Sequence, residues 1–295
     1  MRWAEGFIAV DWGTTNRRAF RIGADGRCAE EFEDRKGILA VPPGTFGAAA
    51  AEIRSRLGDL PLLLAGMVGS NRGWVEAAYV DAPAGAEEIA AHLTRLDDER
   101  AAIIPGVAFR HGTAADVMRG EEVQIVGAVA AGLVSRSGLV CHPGTHNKWV
   151  RIADGRIASF RTVMTGELFN LLKEHSILAD LLAQPTEDDD SFAAGVRHGL
   201  DRDDLVAELF SVRARFLLGE TKREAAAPYV SGLLIGSDLR LGLRDAPDGE
   251  LVAMGRPELT RLYGSAIRIA GRSVREVDGE QAFLAGVARL AELIE

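Results

Sequence analysis

The chain has 295 residues, of which 47% are hydrophobic and 26% charged, and a formal net charge of −9. That length leaves room for two domains with separate cores, and the acidic balance excludes the concentrated basic surface that nucleic-acid binding needs. No apolar run is long enough to span a bilayer and no signal-type segment opens the chain, so a cytoplasmic protein without membrane or nucleic-acid partners is expected.

In chain order, Ile8–Ile22 reads as an apolar strand closed by Asp11, a Gly13-Thr14-Thr15-Asn16 turn, and a second strand from Arg18. Glycine permits the sharp turn, and successive turn amides beside Thr14 and Thr15 form a concavity for an anion. Asp11 would repel phosphate but suits a hydrated Mg²⁺. Arg27–Glu33 reads as a third strand, and Thr45 as the N-cap of a helix over Phe46–Leu57. A short buried strand to Ala65 leads into a glycine-rich loop with Ser70, Asn71, Arg72 and Trp74. Polar loops after strands are where open α/β sheets bind ligands; the alternative is a solvated turn anchored by Trp74. A helix over Glu87–Leu96 and a strand over Ala102–Ala108 follow.

Asp116, Glu121 and Glu122 cluster at or before a helix over Glu122–Val134. Acids there serve capping in many proteins, while a phosphotransfer enzyme needs one carboxylate as a base. Asp116 is the first candidate and Glu121 the second. Leu139–Ile152 then repeats the opening hairpin, with Gly144-Thr145-His146-Asn147-Lys148 over Gly13-Thr14-Thr15-Asn16-Arg17. Repetition at half the chain length points to duplicated halves. Lys148 could counter a phosphate or a carboxylate, and His146 could be a turn hydrogen-bonder. Thr165 reads as the cap of a helix from Gly166, and the acidic run 187–190 as a cap for Phe192–Leu200. Gly232 and Gly236, one helical turn apart, admit either a flat ring or another backbone. A last strand, Leu251–Met254, ends at Gly255 before a helix, and Gly279–Ile294 closes the chain. Cys28 and Cys141 lie on expected strands without metal or redox spacing and read as buried.

Common nucleotide and hydrolase signatures are absent. No GxG occurs among the 33 glycines, and no glycine precedes a lysine. The dinucleotide fingerprint, the kinase glycine loop and the Walker A loop are thereby excluded, and HExxH and GxSxG are missing too.

The stretches DWGTTNRRA, AGMVGSNRGW, DVMRGEE, HPGTHNKW with TGELF, and GLLIGSDL together resemble the 2-keto-3-deoxygalactonate kinase family of the sugar-kinase, Hsp70 and actin superfold. The resemblance implies an α/β fold of two similar ribonuclease-H-like (actin-like ATPase) domains with a nucleotide cleft between them. Residues 1–137 would form the first domain and 138–295 the second, the last helix packing back on the first. It implies ATP and Mg²⁺, with phosphorylation of the 6-hydroxyl of a 2-keto-3-deoxy sugar acid. Asp11 would position the metal, Gly13, Thr14 and Thr15 would form the first phosphate loop, and Gly144 and Thr145 the second. Asn71, Arg72 and Trp74, with Arg17 or Lys148, would meet the sugar acid, and Gly232, Gly236 and Gly255 would frame the adenosine. Pro143, His146 and the single Gly255 depart from the usual superfamily pattern. Alternatives are a kinase for another sugar or sugar acid, or an ATP-binding regulator on the same fold. The sequence fixes no oligomeric state, and a homodimer is compatible with it.

Overall fold

A computed structural model describes residues 3–96, 100–244, 246 and 250–294. The chain divides into two units: Met1–Arg136 with Ile152–Ser159 and Gly279–Glu295, and Ser137–Arg151 with Phe160–Asp278.

The first unit begins with β1 (Phe7–Trp12), β2 (Arg17–Ile22) and β3 (Cys28–Asp34), followed by α1 (Phe46–Leu57) and β4 (Leu62–Ala65). Next come β5 (Tyr79–Asp81), α2 (Ala86–Ala91), β6 (Thr94–Leu96), β7 (Ala101–Ile103), β8 (Gly106–His111), β9 (Ala114–Met118) and α3 (Glu121–Ala130). Its main sheet has the order β3-β2-β1-β4-β7-β6. β1 and β4 pair in parallel at the centre, and all four residues of β4, Leu-Leu-Leu-Ala, are buried. Such an unbroken apolar run is what a strand covered on both faces requires. Ile8, Val10, Leu62 and Leu64 meet Phe46, Ile53 and Leu57 of α1 in one core.

The second unit holds β10 (Gly138–His142), β11 (Asn147–Ala153), β12 (Arg156–Val163), α4 (Thr165–His175), α5 (Ala179–Leu182), α6 (Asp190–Asp201) and α7 (Leu205–Leu217). It continues with α8 (Arg223–Gly242), β13 (Leu251–Gly255), α9 (Pro257–Ile269) and β14 (Arg275–Asp278). Its sheet order, β12-β11-β10-β13-β14, reproduces β3-β2-β1-β4-β7 strand for strand. The repeat read from the two glycine–threonine turns is therefore a repeat of whole sheets. The closing helix α10 (Gly279–Leu293) belongs to the first unit, where it packs along α3.

Several expectations change. The helix expected over Glu87–Leu96 stops at Ala91, because Thr94–Leu96 pairs antiparallel with β7 and finds its hydrogen bonds in the sheet. The strand expected over Ala102–Ala108 is two strands in two sheets, divided at Ile104-Pro105, where proline offers no N–H to a ladder. A three-stranded sheet, β5-β8-β9, had no signal strong enough to be read. Cys28 is exposed, since β3 is an edge strand, whereas Cys141 is buried as expected. The acidic run does cap a helix: Asp189 accepts from Phe192 N at 2.9 Å. Thr165 is no cap; it is the first residue of α4 and its hydroxyl is bonded elsewhere.

Gly232 and Gly236 face α6. A Cβ on Gly232 would lie 2.1 Å from the Phe192 carbonyl oxygen, and one on Gly236 would lie 2.3 Å from that of Val196. This helix crossing uses the glycines for backbone approach, which corrects their assignment to the adenosine.

Candidate active site

In the first unit the Gly13–Asn16 turn is closed by Gly13 N donating to Asn16 O at 2.9 Å. Its carbonyls are taken by the next segment: Gly37 N donates to Thr15 O at 2.9 Å, Ile38 N to Gly13 O at 3.0 Å and Leu39 N to Thr14 O at 3.2 Å. Gly37 is pressed against the turn, since a Cβ there would meet Thr14 C at 2.4 Å. Thr14 and Thr15 keep exposed side chains. The second turn is backed the same way. Glu167 N donates to Thr145 O at 2.9 Å, and a Cβ on Gly166 would lie 2.5 Å from Gly144 O. Each turn therefore rests on a Gly-led segment, Gly37-Ile38-Leu39 in one unit and Gly166-Glu167-Leu168 in the other.

Asp11 ends half-buried beside the first turn. Its Oδ2 accepts from Arg18 Nη2 at 2.8 Å, and Arg18 Nη1 reaches Glu280 at 3.4 Å. Gly66 and Gly120 bring other segments to this carboxylate. A Cβ on Gly66 would stand 3.4 Å from Asp11 Oδ1, and one on Gly120 would stand 3.4 Å from Gly66 Cα. Gly120 caps α3, so the first residue of that helix, half-buried Glu121, arrives on the Asp11 side of the sheet. Asp116 lies instead on β9 opposite Phe109, and its carboxylate accepts from Val117 N at 2.8 Å. These contacts bring the start of α3 to the Asp11 end of the main sheet, while β9 keeps Asp116 in the small sheet.

Glu122 is fully buried, and its Oε1 and Oε2 accept from Gly120 N at 2.9 and 2.7 Å. Burial, with the neighbouring Glu121 charge adding to it, raises its pKa from 4.5 to about 8, so it keeps its proton at neutral pH. An unfolded chain releases that proton near pH 4.5. Between that pH and about 8 the native state binds the extra proton, so stability falls as pH rises and levels off above 8. Glu122→Gln, which cannot ionise, should leave the melting temperature nearly unchanged at pH 4 and raise it by about 5 °C or more at pH 8. A pH series of thermal melts checks this; a lower melting temperature at pH 8 contradicts it.

The two cations after the turns have structural posts. Arg17 is fully buried, donates to Asp34 Oδ2 at 2.7 Å and Oδ1 at 3.2 Å, and lies 5.2 Å from the Trp12 ring centroid. Lys148 is buried, its Nζ 2.8 Å from Thr162 Oγ1. In both repeats the first cation of the second strand crosses to the third strand of its own sheet. A buried charge needs an opposite partner; Asp34 supplies one for Arg17, which corrects the expectation that Arg17 meets a substrate carboxylate, while Lys148 rests on the Thr162 hydroxyl.

The loop after β4 folds back tightly, with Trp74 N donating to Val68 O at 2.8 Å and Ala77 N to Gly69 O at 2.9 Å. Asn71 and Arg72 are exposed at its tip. Trp74 stacks on Phe46, centroids 6.2 Å apart, and anchors the loop to the first core. Arg119 braces it from behind, donating to Ala77 O at 2.7 Å and stacking over Tyr79 at 4.3 Å.

In the second unit a cavity of about 300 Å³ opens beside Gly144 and Thr145. Phe169, Leu234, Leu259 and Leu262 supply apolar wall, and Ser231 and Asn170 supply polar groups. α8 thus turns Gly232 and Gly236 to α6 while Ser231, Leu234 and Ile235 line the cavity. That i, i+3, i+4 spacing was the legible signal for the lining face. Gly255 lies next to the second turn, a Cβ there falling 3.5 Å from Pro143 O. His146 is exposed and bonded to Glu167. Among the described residues no group of three or more His, Cys, Asp or Glu side chains is arranged to hold a metal.

A family model described as 2-keto-3-deoxy-galactonokinase matches residues 11–290. The chain is 38% identical over 292 residues to the 2-dehydro-3-deoxygalactonokinase of Escherichia coli strain K12, covering 98% of each. It superposes with a TM-score of 0.90 on the crystal structure of a protein from Sinorhizobium meliloti described as a 2-dehydro-3-deoxygalactonokinase, at 38% identity, covering 98% of this chain and 99% of that one. The activator of the 2-hydroxyisocaproyl-CoA dehydratase from Clostridium difficile, solved with bound ADPNP, matches at 10% identity with a TM-score of 0.52, over 97% of this chain and 94% of that one. That last likeness shows the fold, an actin-like ATPase fold, and nothing further.

Proposed function

The chain belongs to the 2-keto-3-deoxy-galactonokinase family, and from that premise we propose that it transfers the γ-phosphoryl group of ATP to the 6-hydroxyl of 2-dehydro-3-deoxy-D-galactonate. The product is the 6-phosphate, an intermediate of galactonate breakdown. The observation that carries this reading is the second glycine–threonine turn with a cavity of nucleoside size and apolar wall beside it. The adenosine enters that cavity, its base against Phe169, Leu234 and Leu262, and the amides of Gly144 and Thr145 receive phosphate oxygens.

In the first unit the Gly13–Asn16 turn, with Thr14 and Thr15 exposed, offers its own amides to phosphate oxygens. Asp11 is the residue that would hold a hydrated Mg²⁺: Arg18 donates to Oδ2, and the neighbour of Oδ1 at Gly66 carries no side chain to fill the space there. When bound, the cation offsets phosphate charge. Glu121 accepts the proton of the 6-hydroxyl as its oxygen attacks the γ-phosphorus; the bond from phosphorus to the β–γ bridging oxygen breaks and ADP leaves. Arg72 and Asn71, at the tip of the anchored loop, bind the sugar acid, with the guanidinium taking its carboxylate through paired N–H groups.

A coupled assay of ADP release over a panel of sugar acids and neutral sugars tests the reading. Turnover is expected with the 2-keto-3-deoxy acid and at least about 100-fold less with neutral hexoses, which leave Arg72 without a carboxylate. Phosphorylation of a neutral sugar in preference to the acid would overturn the substrate. ATP turnover indifferent to every sugar would point to a regulator on the same fold.

A further inference from the structure

Asp238, on α8, is 1% exposed and is the meeting point of four side-chain donors. Its Oδ2 accepts from Asn147 Nδ2 at 2.9 Å, Thr165 Oγ1 at 2.6 Å and Tyr263 OH at 2.6 Å, and its Oδ1 accepts from Trp149 Nε1 at 2.7 Å. Four donors match the lone-pair capacity of one carboxylate. The Asn147 amide is oriented by Cys141 Sγ, which lies 3.6 Å from its Oδ1. Burial pushes the Asp238 carboxyl upward in pKa, and the four hydrogen bonds oppose that.

The donors come from three different elements, β11, α4 and α9. Thr165 and Tyr263 line the cavity beside the second turn, and Asn147 is the third residue after Gly144. The first unit shows that a glycine–threonine hairpin does not need this arrangement. There the matching Asn16 donates outward, to exposed Glu33 at 3.2 Å. The buried carboxylate is an addition of the unit that carries the cavity.

We propose that Asp238 is a positioning residue for the nucleotide: it fixes Thr165, Tyr263 and the Asn147 end of the second turn in the arrangement that adenosine and its phosphates meet, without touching them. This rests on the reading of the cavity as the nucleoside site. A buried polar network that served stability alone would leave both substrates' constants equally affected. Positioning through the cavity wall separates them.

The test compares Tyr263→Phe, Thr165→Val and Asp238→Asn in steady-state kinetics, with ADP binding measured by calorimetry well below each melting temperature. Each variant is expected to raise KM for ATP and Kd for ADP about tenfold. KM for the sugar acid should stay within about twofold. The double variant Tyr263→Phe with Asp238→Asn should cost less than the two singles combined, because they break the same bond. If Asp238→Asn fails to fold, Tyr263→Phe, which deletes only a hydroxyl, decides. Asn170→Trp, which fills the cavity from the exposed side of α4, serves as the reference. If it raises KM for ATP while the cluster variants leave it unchanged, or change both substrates equally, the positioning role is overturned. If Asn170→Trp itself leaves KM for ATP unchanged, the cavity is not the nucleoside site and both readings fall together.

Discussion

Replacing Glu121 by glutamine is expected to lower kcat on the order of 10³-fold, with KM for ATP and for the sugar acid changed less than about threefold. Glutamine keeps the size of the side chain and can still accept the hydrogen bond from Arg119 N, which is 3.1 Å from the Glu121 carboxylate. It cannot take a proton. The loss therefore reports proton transfer and not the fold of α3. Asp116→Asn is the companion variant, and its effect is expected to stay below about tenfold, because β9 carries Asp116 in the small sheet and its carboxylate serves Val117 N. Rapid-quench measurement of the first turnover separates chemistry from product release. An inactive Asp116→Asn beside an active Glu121→Gln would exchange the two roles.

Alanine at Gly166 is expected to raise KM for ATP by at least about tenfold while the protein remains folded. Its Cβ would fall 2.5 Å from Gly144 O and 2.9 Å from Thr145 Cα. Both contacts are to backbone, so the turn must move, and overpacking of this kind costs about 1–3 kcal/mol. Gly37→Ala applies the same pressure to the first turn, where the Cβ would meet Thr14 and Thr15 backbone atoms at 2.4 Å. Steady-state kinetics with saturating sugar acid, beside thermal melts, distinguish a displaced turn from an unfolded unit. Folded variants of both glycines with wild-type KM for ATP would show that neither turn binds phosphate.

What could be read in the sequence was local. The hairpins around Gly13 and Gly144 declare themselves within fifteen residues, because strand, turn and strand are short-range choices and the pattern occurs twice. The Phe46–Leu57 helix and the Asp189 cap are equally short-range and match the structure. The character of the buried charges was not legible. Arg17 looks like a ligand cation beside a phosphate-type turn until the third strand is in place and supplies Asp34. Gly232 and Gly236 admitted two readings, and only the arrival of α6 chose between them.

Asp238 shows the limit most plainly. Its partners stand 91, 89, 73 and 25 residues away in the chain, and nothing in GLLIGSDL distinguishes a hub from an ordinary helical acid. Glu122 is similar: next to Glu121 it reads as one more acid at a helix start, and only the packing reveals that one is buried and protonated while the other stays half-exposed. Cys28 failed for the opposite reason. Its strand was read correctly, but the place of that strand at the edge of the sheet was not visible.

Phosphorus NMR of a reaction containing the protein, ATP, Mg²⁺ and 2-dehydro-3-deoxy-D-galactonate reads the site of transfer directly. One new phosphate-ester signal is expected, split by the two hydrogens on carbon 6 and appearing in step with ADP. An ester signal coupled to a single hydrogen, or orthophosphate as the only new phosphorus species beside ADP, would contradict it.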